Sequence, residues 1–145
     1  MTENQASTPA FTNKPVAVLN KSIEPTKILN ALAHMCFGLG AIVGKDDAKL
    51  TNYRDAEGGL HPFISEMPFI ILEANNNKIR KLRLLAHENK VNCIDFTNTM
   101  IEGTYLEQIA RTAQTAEEDL IYCGIVLFGD WEKVTELTRK FSLWK

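Results

Sequence analysis

The 145-residue chain contains no C-x-x-C pair, no Gly-rich phosphate loop, no G-x-S-x-G and no two histidines at metal-ligand spacing. By motif, those absences leave no zinc ribbon, P-loop nucleotide site or serine-hydrolase elbow. Its three histidines, His34, His61 and His87, stand singly, so neither a metal site nor a cofactor is expected. The three cysteines, Cys36, Cys93 and Cys123, each lie in an apolar run. They are expected as buried, reduced thiols, which suits the cytoplasm. A net charge of −2 gives no general pull toward nucleic acid, and RNA binding would need a local basic patch. No uninterrupted apolar run approaches the ~20 residues that span a bilayer, so no membrane partner is expected. The opening "MTENQASTPAFTNK" lacks the basic-then-apolar order of a secretory leader.

What is present is an ordinary globular composition, 45% hydrophobic and 23% charged, in a chain long enough for one core. Residues 1–13 are expected as a polar, disordered tail and residues 14–145 as a single domain. "PVAVLN" (Pro15–Asn20) reads as strand one. Pro25 then sits well at the first position of a helix that ends near Gly44. "KDDAKLTNYRDAEGGLHP" is polar, carries Gly58, Gly59 and Pro62, and reads as a long surface loop. "FIILEA" is strand two, "NNNKIRKLRLLAHEN" helix two with an asparagine N-cap, and "VNCIDF" strand three. Leu106, Ile109, Ala110 and Ala113 have helical spacing. "DLIYCGIVLFG" is apolar along its length and reads as a central strand four, covered on both faces. Trp131–Thr138 is a last helix, and "FSLWK" closes the chain. Strands alternating with helices predict an α/β sandwich around a four-stranded sheet.

The first helix, "PTKILNALAHMCFGLGAIVG", carries its polar residues on one narrow stripe. With about 100° per residue and Lys27 at zero, Gly38 falls at about 20° and Ala31 at about 40°. His34 falls at about −20°, Ala41 at about −40° and Asn30 at about −60°. Two readings compete: close packing of a neighbour against the small residues, or the wall of a ligand cleft. Lys27 in the first turn opposes the helix dipole, with Lys21 just before it. An anionic group there would satisfy free N–H groups and both ammonium groups. Thr97 and Asn98 follow strand three and could line the same crevice if that strand runs parallel to strand one.

"KPVAVLNKSIEPTKILNALAH" resembles the opening of the peptidyl-tRNA hydrolases of the archaeal and eukaryotic type. "MPFIILEANNNKIRKLRLLAHENKVNCIDF" and "YCGIVLFGDWEKVTELTRKFSLW" are similar to that family's middle and last segments. The chain is closer still to a bacterial family of unknown function with the same fold, through "LGA", "GGLHPFIS" and "GIVLFGDWEKVTELT". The resemblance covers residues 14 to 145 and implies a three-layer α/β/α sandwich with a four-stranded mixed sheet. It implies Lys27 and His34 as the catalytic pair. Where the hydrolases have glutamine three residues before the histidine, this chain has Ala31. Where they have an acidic residue and Ala-Gly-Arg-Thr after strand three, it has Thr97-Asn98-Thr99-Met100. Without that carboxylate a general base is missing unless Glu24, Glu73 or Asp95 pairs with His34.

The resulting expectation is a small binding or regulatory protein for an anionic ligand, with an ester hydrolase acting on peptidyl-tRNA as the alternative. Lys27 and His34 form the candidate catalytic pair, with Lys21, Asn30, His61, Thr97 and Asn98 as ligand contacts. Lys78, Arg80, Lys81 and Arg83 form the only dense basic cluster, read as a solvated helix face or an RNA-contact patch. His87, on the same helix, is expected to have no role. Leu84, Tyr53 and Trp144 have no assured place in the core and would suit a homodimer contact.

Overall fold

The computed structural model describes residues 10–145. Of the tail expected over residues 1–13, residues 1–9 lie outside the described residues. From Phe11 the chain is already engaged. The Phe11 ring stacks on Trp131 with centroids 6.5 Å apart, and the Thr12 carbonyl accepts the Trp131 N–H at 2.8 Å.

Five strands form one mixed sheet in the order β5-β6-β1-β4-β7. They are β1 (Asn13–Asn20), β4 (Ile70–Ala74), β5 (Asn92–Thr97), β6 (Tyr122–Asp130) and β7 (Ser142–Leu143). β1 runs parallel to β4 and antiparallel to β6, and β5 and β7 are antiparallel to their neighbours. β5 therefore runs in the same direction as β1. The apolar runs of β1 and β6 are buried on both faces, as their composition predicts for interior strands.

The expected four strands become five because the chain end pairs with β4. Ser142 and Leu143 lie opposite Glu73 and Leu72, and the Trp144 N–H bonds the Ile71 carbonyl at 3.0 Å. Trp144 packs half-buried against the core. The expected surface loop is also corrected. β2 (Leu50–Arg54) and β3 (Leu60–Ser65) make a separate two-stranded hairpin. Its turn is closed by Asp55, whose carboxylate accepts the Glu57 and Gly59 N–H groups, with Gly58 at φ +87°.

Helix α1 (Pro25–Val43) covers one face of the sheet; α2 (Asn76–Glu88) and α4 (Trp131–Thr138) cover the other. Ile28, Ala31, Met35 and Leu39 form the buried face of α1, seated over β5 and β6. Gly124 of β6 lets it approach: a Cβ there would lie 2.9 Å from Leu19 Cδ2 and 3.1 Å from Met35 Cε. The polar stripe is split: its Ala31 is buried against the sheet, whereas Gly38 is open. Around Gly38 nothing would meet an added Cβ within 4 Å, so no neighbour packs there.

The 19-residue helix α1 contains an 18-residue window with a mean hydropathy of 1.4, enough by length and composition to cross a membrane. Lys27, Asn30 and His34 interrupt the apolar run within this helix. In the fold, α1 lies against the sheet. α3 (Tyr105–Ala113) stands beyond the edge strand β5, with no buried residue.

Candidate functional site

A cavity of about 670 Å³ opens between α1 and α3 beside β5. A site of this size falls within the range typical of small-molecule pockets. α3 contributes Tyr105, Gln108, Ile109, Thr112 and Ala113, the i, i+3, i+4, i+7, i+8 stripe of one helical face. Such a stripe ordinarily packs on a core. Here Tyr105 is 71% and Ile109 61% exposed, and they face an open cleft.

Polar bonds hold α3 in place. Thr104 and Glu107 form a capping box at its start. An Arg111 Nη donates to the carbonyls of Thr99 and Glu102, both at 3.0 Å. The Thr97, Thr99 and Thr112 hydroxyls form a chain with 2.7 Å links, joining the end of β5 to α3.

Across the cleft, α1 supplies Asn30, His34 and Met35, and β5 supplies Ile94, Asp95 and Phe96. The His34 ring lies 5.7 Å from that of Phe96 at a tilt of 32°. Among the described residues neither Asn30 nor His34 makes a side-chain hydrogen bond. Gln108 donates its Nε2 to the Gly103 carbonyl, and its Oε1 accepts no hydrogen bond among the described residues. The result is a largely apolar slot with Asn30, His34 and Gln108 among the polar groups at its walls.

Of the seven residues singled out from sequence, the cavity lining brings together Asn30 and His34. Lys27 is exposed one turn before Asn30 on α1 and lies outside the lining. Lys21 lines a separate polar recess of about 60 Å³ with Glu73, Lys78 and Lys140. The Thr97 hydroxyl is buried in the threonine chain. Asn98 joins β5 to the start of β6: its N–H donates to the Ile121 carbonyl and its Oδ1 accepts the Ile121 N–H. His61 Nε2 bonds Asp55 Oδ2 at 2.9 Å within the hairpin. That bond, ahead of those from Gly59 and Glu57, holds the Asp55 carboxyl below its ordinary value. The residues that sequence reasoning missed are Tyr105, Gln108 and Thr112. Their helical stripe was readable, but the surface opposite it was not.

No carboxylate among the described residues hydrogen-bonds His34. Glu24 accepts from the Thr26 hydroxyl at 2.9 Å, Glu73 from the Lys145 N–H at 3.4 Å, and Asp95 from Arg83 Nε at 2.8 Å. Asp95 projects to the α2 face of β5, away from α1. All three cysteine thiols are raised above their ordinary value. Burial pushes the Cys36 thiol up, and burial pushes Cys123 up to about 11. Cys93 lies 3.8 Å from His87 Nε2, a pairing not readable from sequence. Burial, with the Asp95 charge adding to it, raises this thiol as well, which disfavours the thiolate. Only Cys123 is fully buried; Cys36 and Cys93 are half-buried, short of the burial expected for all three.

The basic cluster of α2 divides in two. Arg80 donates to Glu117 and to backbone carbonyls, and Arg83 is tied to Asp95. Lys78 and Lys81 face a groove toward α4 instead. Leu84 and Tyr53 are exposed.

A family model described as a protein of unknown function, DUF2000, matches residues 13–145. The chain belongs to the DUF2000 family. A solved structure of a protein of unknown function from Agrobacterium tumefaciens strain C58, Atu0240, shares the fold, with a TM-score of 0.81 at 18% identity. The alignment covers 94% of this chain and 100% of that one. A search of curated proteins finds no match. Both descriptions are of unknown function.

Proposed function

We propose that this DUF2000 protein is a small cytoplasmic binding protein whose α1–α3 cavity takes an amphipathic, anionic ligand. The apolar body lies among Met35, Ile94, Phe96, Tyr105 and Ile109, and the polar end meets Asn30, His34 and Gln108. Lys27, one turn along α1, attracts the anionic group from the cleft mouth. The observation that carries this reading is the apolar face of α3, turned onto an open cleft with none of its residues buried. Apolar surface left in water is costly, and a ligand filling the slot would recover that free energy. The hydrolase reading suggested by the sequence resemblance is weaker, because no carboxylate orients His34.

Calorimetric titration with hexanoate, octanoate and inorganic phosphate tests the proposal. Each added CH₂ is worth roughly 0.8 kcal/mol, so octanoate should bind about tenfold more tightly than hexanoate. Phosphate alone should not bind measurably. Affinity independent of chain length would contradict the reading, and so would peptidyl-tRNA turnover abolished by His34→Ala.

A further inference from the structure

A second groove runs between α2 and α4 on the opposite face of the sheet, with a volume of about 390 Å³. Its apolar floor is Leu82, Leu85, Leu137 and Phe141. Its rim carries Lys78, Lys81 and Lys140, and the recess at one end adds Lys21. Among the described residues none of these four lysines forms an ion pair, whereas Arg139 on the same rim is paired with Glu136 at 3.0 Å. The only other acid at the recess is Glu73. A chain of net charge −2 thus places three lysines without an ion pair among the described residues around one apolar trough, with Lys21 in the recess at its end.

We infer that this groove docks an acidic peptide segment of a protein partner, with leucine or phenylalanine side chains seated between the lysines. From Lys78 to Leu85 the trough follows α2 for about 10 Å, enough for two helical turns or three extended residues. Carboxylates on such a segment would meet the rim while its apolar side chains cover the floor. Complementary rim charges would steer the encounter and fix its register. A nucleic acid fits less well. Bases need exposed flat aromatic surfaces to stack on, and the one aromatic in the groove, Phe141, is half-buried.

The test is a titration of the full-length ¹⁵N-labelled protein with a synthetic peptide alternating Asp and Glu with Leu and Phe, followed by amide shifts. Shifts should cluster on α2 and α4. Lys78→Glu with Lys140→Glu should weaken binding about tenfold. Lys45→Glu with Lys49→Glu, which changes net charge equally elsewhere, should leave it nearly unchanged. Unchanged thermal melting of both double variants keeps the comparison interpretable. The inference is overturned by an absence of shifts, by shifts confined to the α1–α3 cavity, or by equal loss in both double variants. Equal binding of an all-acidic peptide lacking Leu and Phe would also overturn it. So would an oligouridylate that reproduces the α2–α4 shifts more strongly than the peptide does.

Discussion

Arg83 Nε donates to Asp95 Oδ2 at 2.8 Å across the α2–β5 contact, and this bond keeps the only acid on β5 away from His34. β5 alternates, so Ile94 and Phe96 face α1 while Cys93 and Asp95 face α2. The strand thus borders the cavity with Ile94, Asp95 and Phe96, and the Asp95 carboxylate is held by Arg83 rather than by His34. Asp95→Asn should lower stability by about 1 kcal/mol, a charge-assisted bond discounted for partial exposure. Ligand affinity in the cavity should not change. Parallel denaturant melts and octanoate titrations of the variant check both halves.

Lys27 is exposed, so its contribution is that of a screened surface charge. Lys27→Ala should weaken octanoate binding by roughly 0.2–1 kcal/mol and leave stability nearly unchanged. Added salt should reduce the difference between variant and parent. A loss of several kcal/mol, insensitive to salt, would mean that Lys27 reaches into the cleft as a direct ligand contact.

Much of the architecture was legible from periodicity. The interior strands announce themselves through "VAVL" and "IVLF", the helices through caps and spacing, and the common direction of β1 and β5 was posed as a condition that the sheet meets. The hairpin was missed because Pro62 and a polar turn masked the alternation in Leu60 and Ile64. β7 was missed because two residues carry no period. The site was only half legible. α1 is apolar around most of its circumference, so sequence alone could not choose the arc that faces the sheet. Nor could it bring α3 opposite Asn30 and His34, since that contact depends on where the chain crosses the β5 edge.

Tyr122 gives a pH signature for the α2–β6 side. Burial first, and then its 2.7 Å bond to Glu117, push its phenol up to about 12. The folded protein holds this proton more tightly than the unfolded chain. Its stabilisation is therefore complete below the ordinary tyrosine value and is lost as pH rises through about 12. Glu117 works in the opposite sense. The Tyr122 bond and then Arg80 hold it low, and its contribution is lost as pH falls through that lowered value. Phenolate absorbance during alkaline titration should show one late tyrosine, and Glu117→Gln should bring it earlier.

The stability of α3 should be local. Arg111→Ala removes the guanidinium that bridges Thr99 and Glu102, so α3 amides should exchange faster while the global melt moves little. Bound octanoate should slow the same amides in the parent protein. Exchange spread evenly over the domain would show that α3 is part of the cooperative core.

The most direct measurement is an amide and side-chain shift map of the ¹⁵N-labelled protein titrated with octanoate. The account predicts saturable changes at Asn30, His34, Ile94, Gln108 and Ile109, with the Asn30 and Gln108 side-chain amides among the largest, and their loss in Ile109→Asp. Changes that centre on Lys21, Lys78 and Lys140 instead, or no saturable change at all, would contradict the assignment of the α1–α3 cavity as the ligand site.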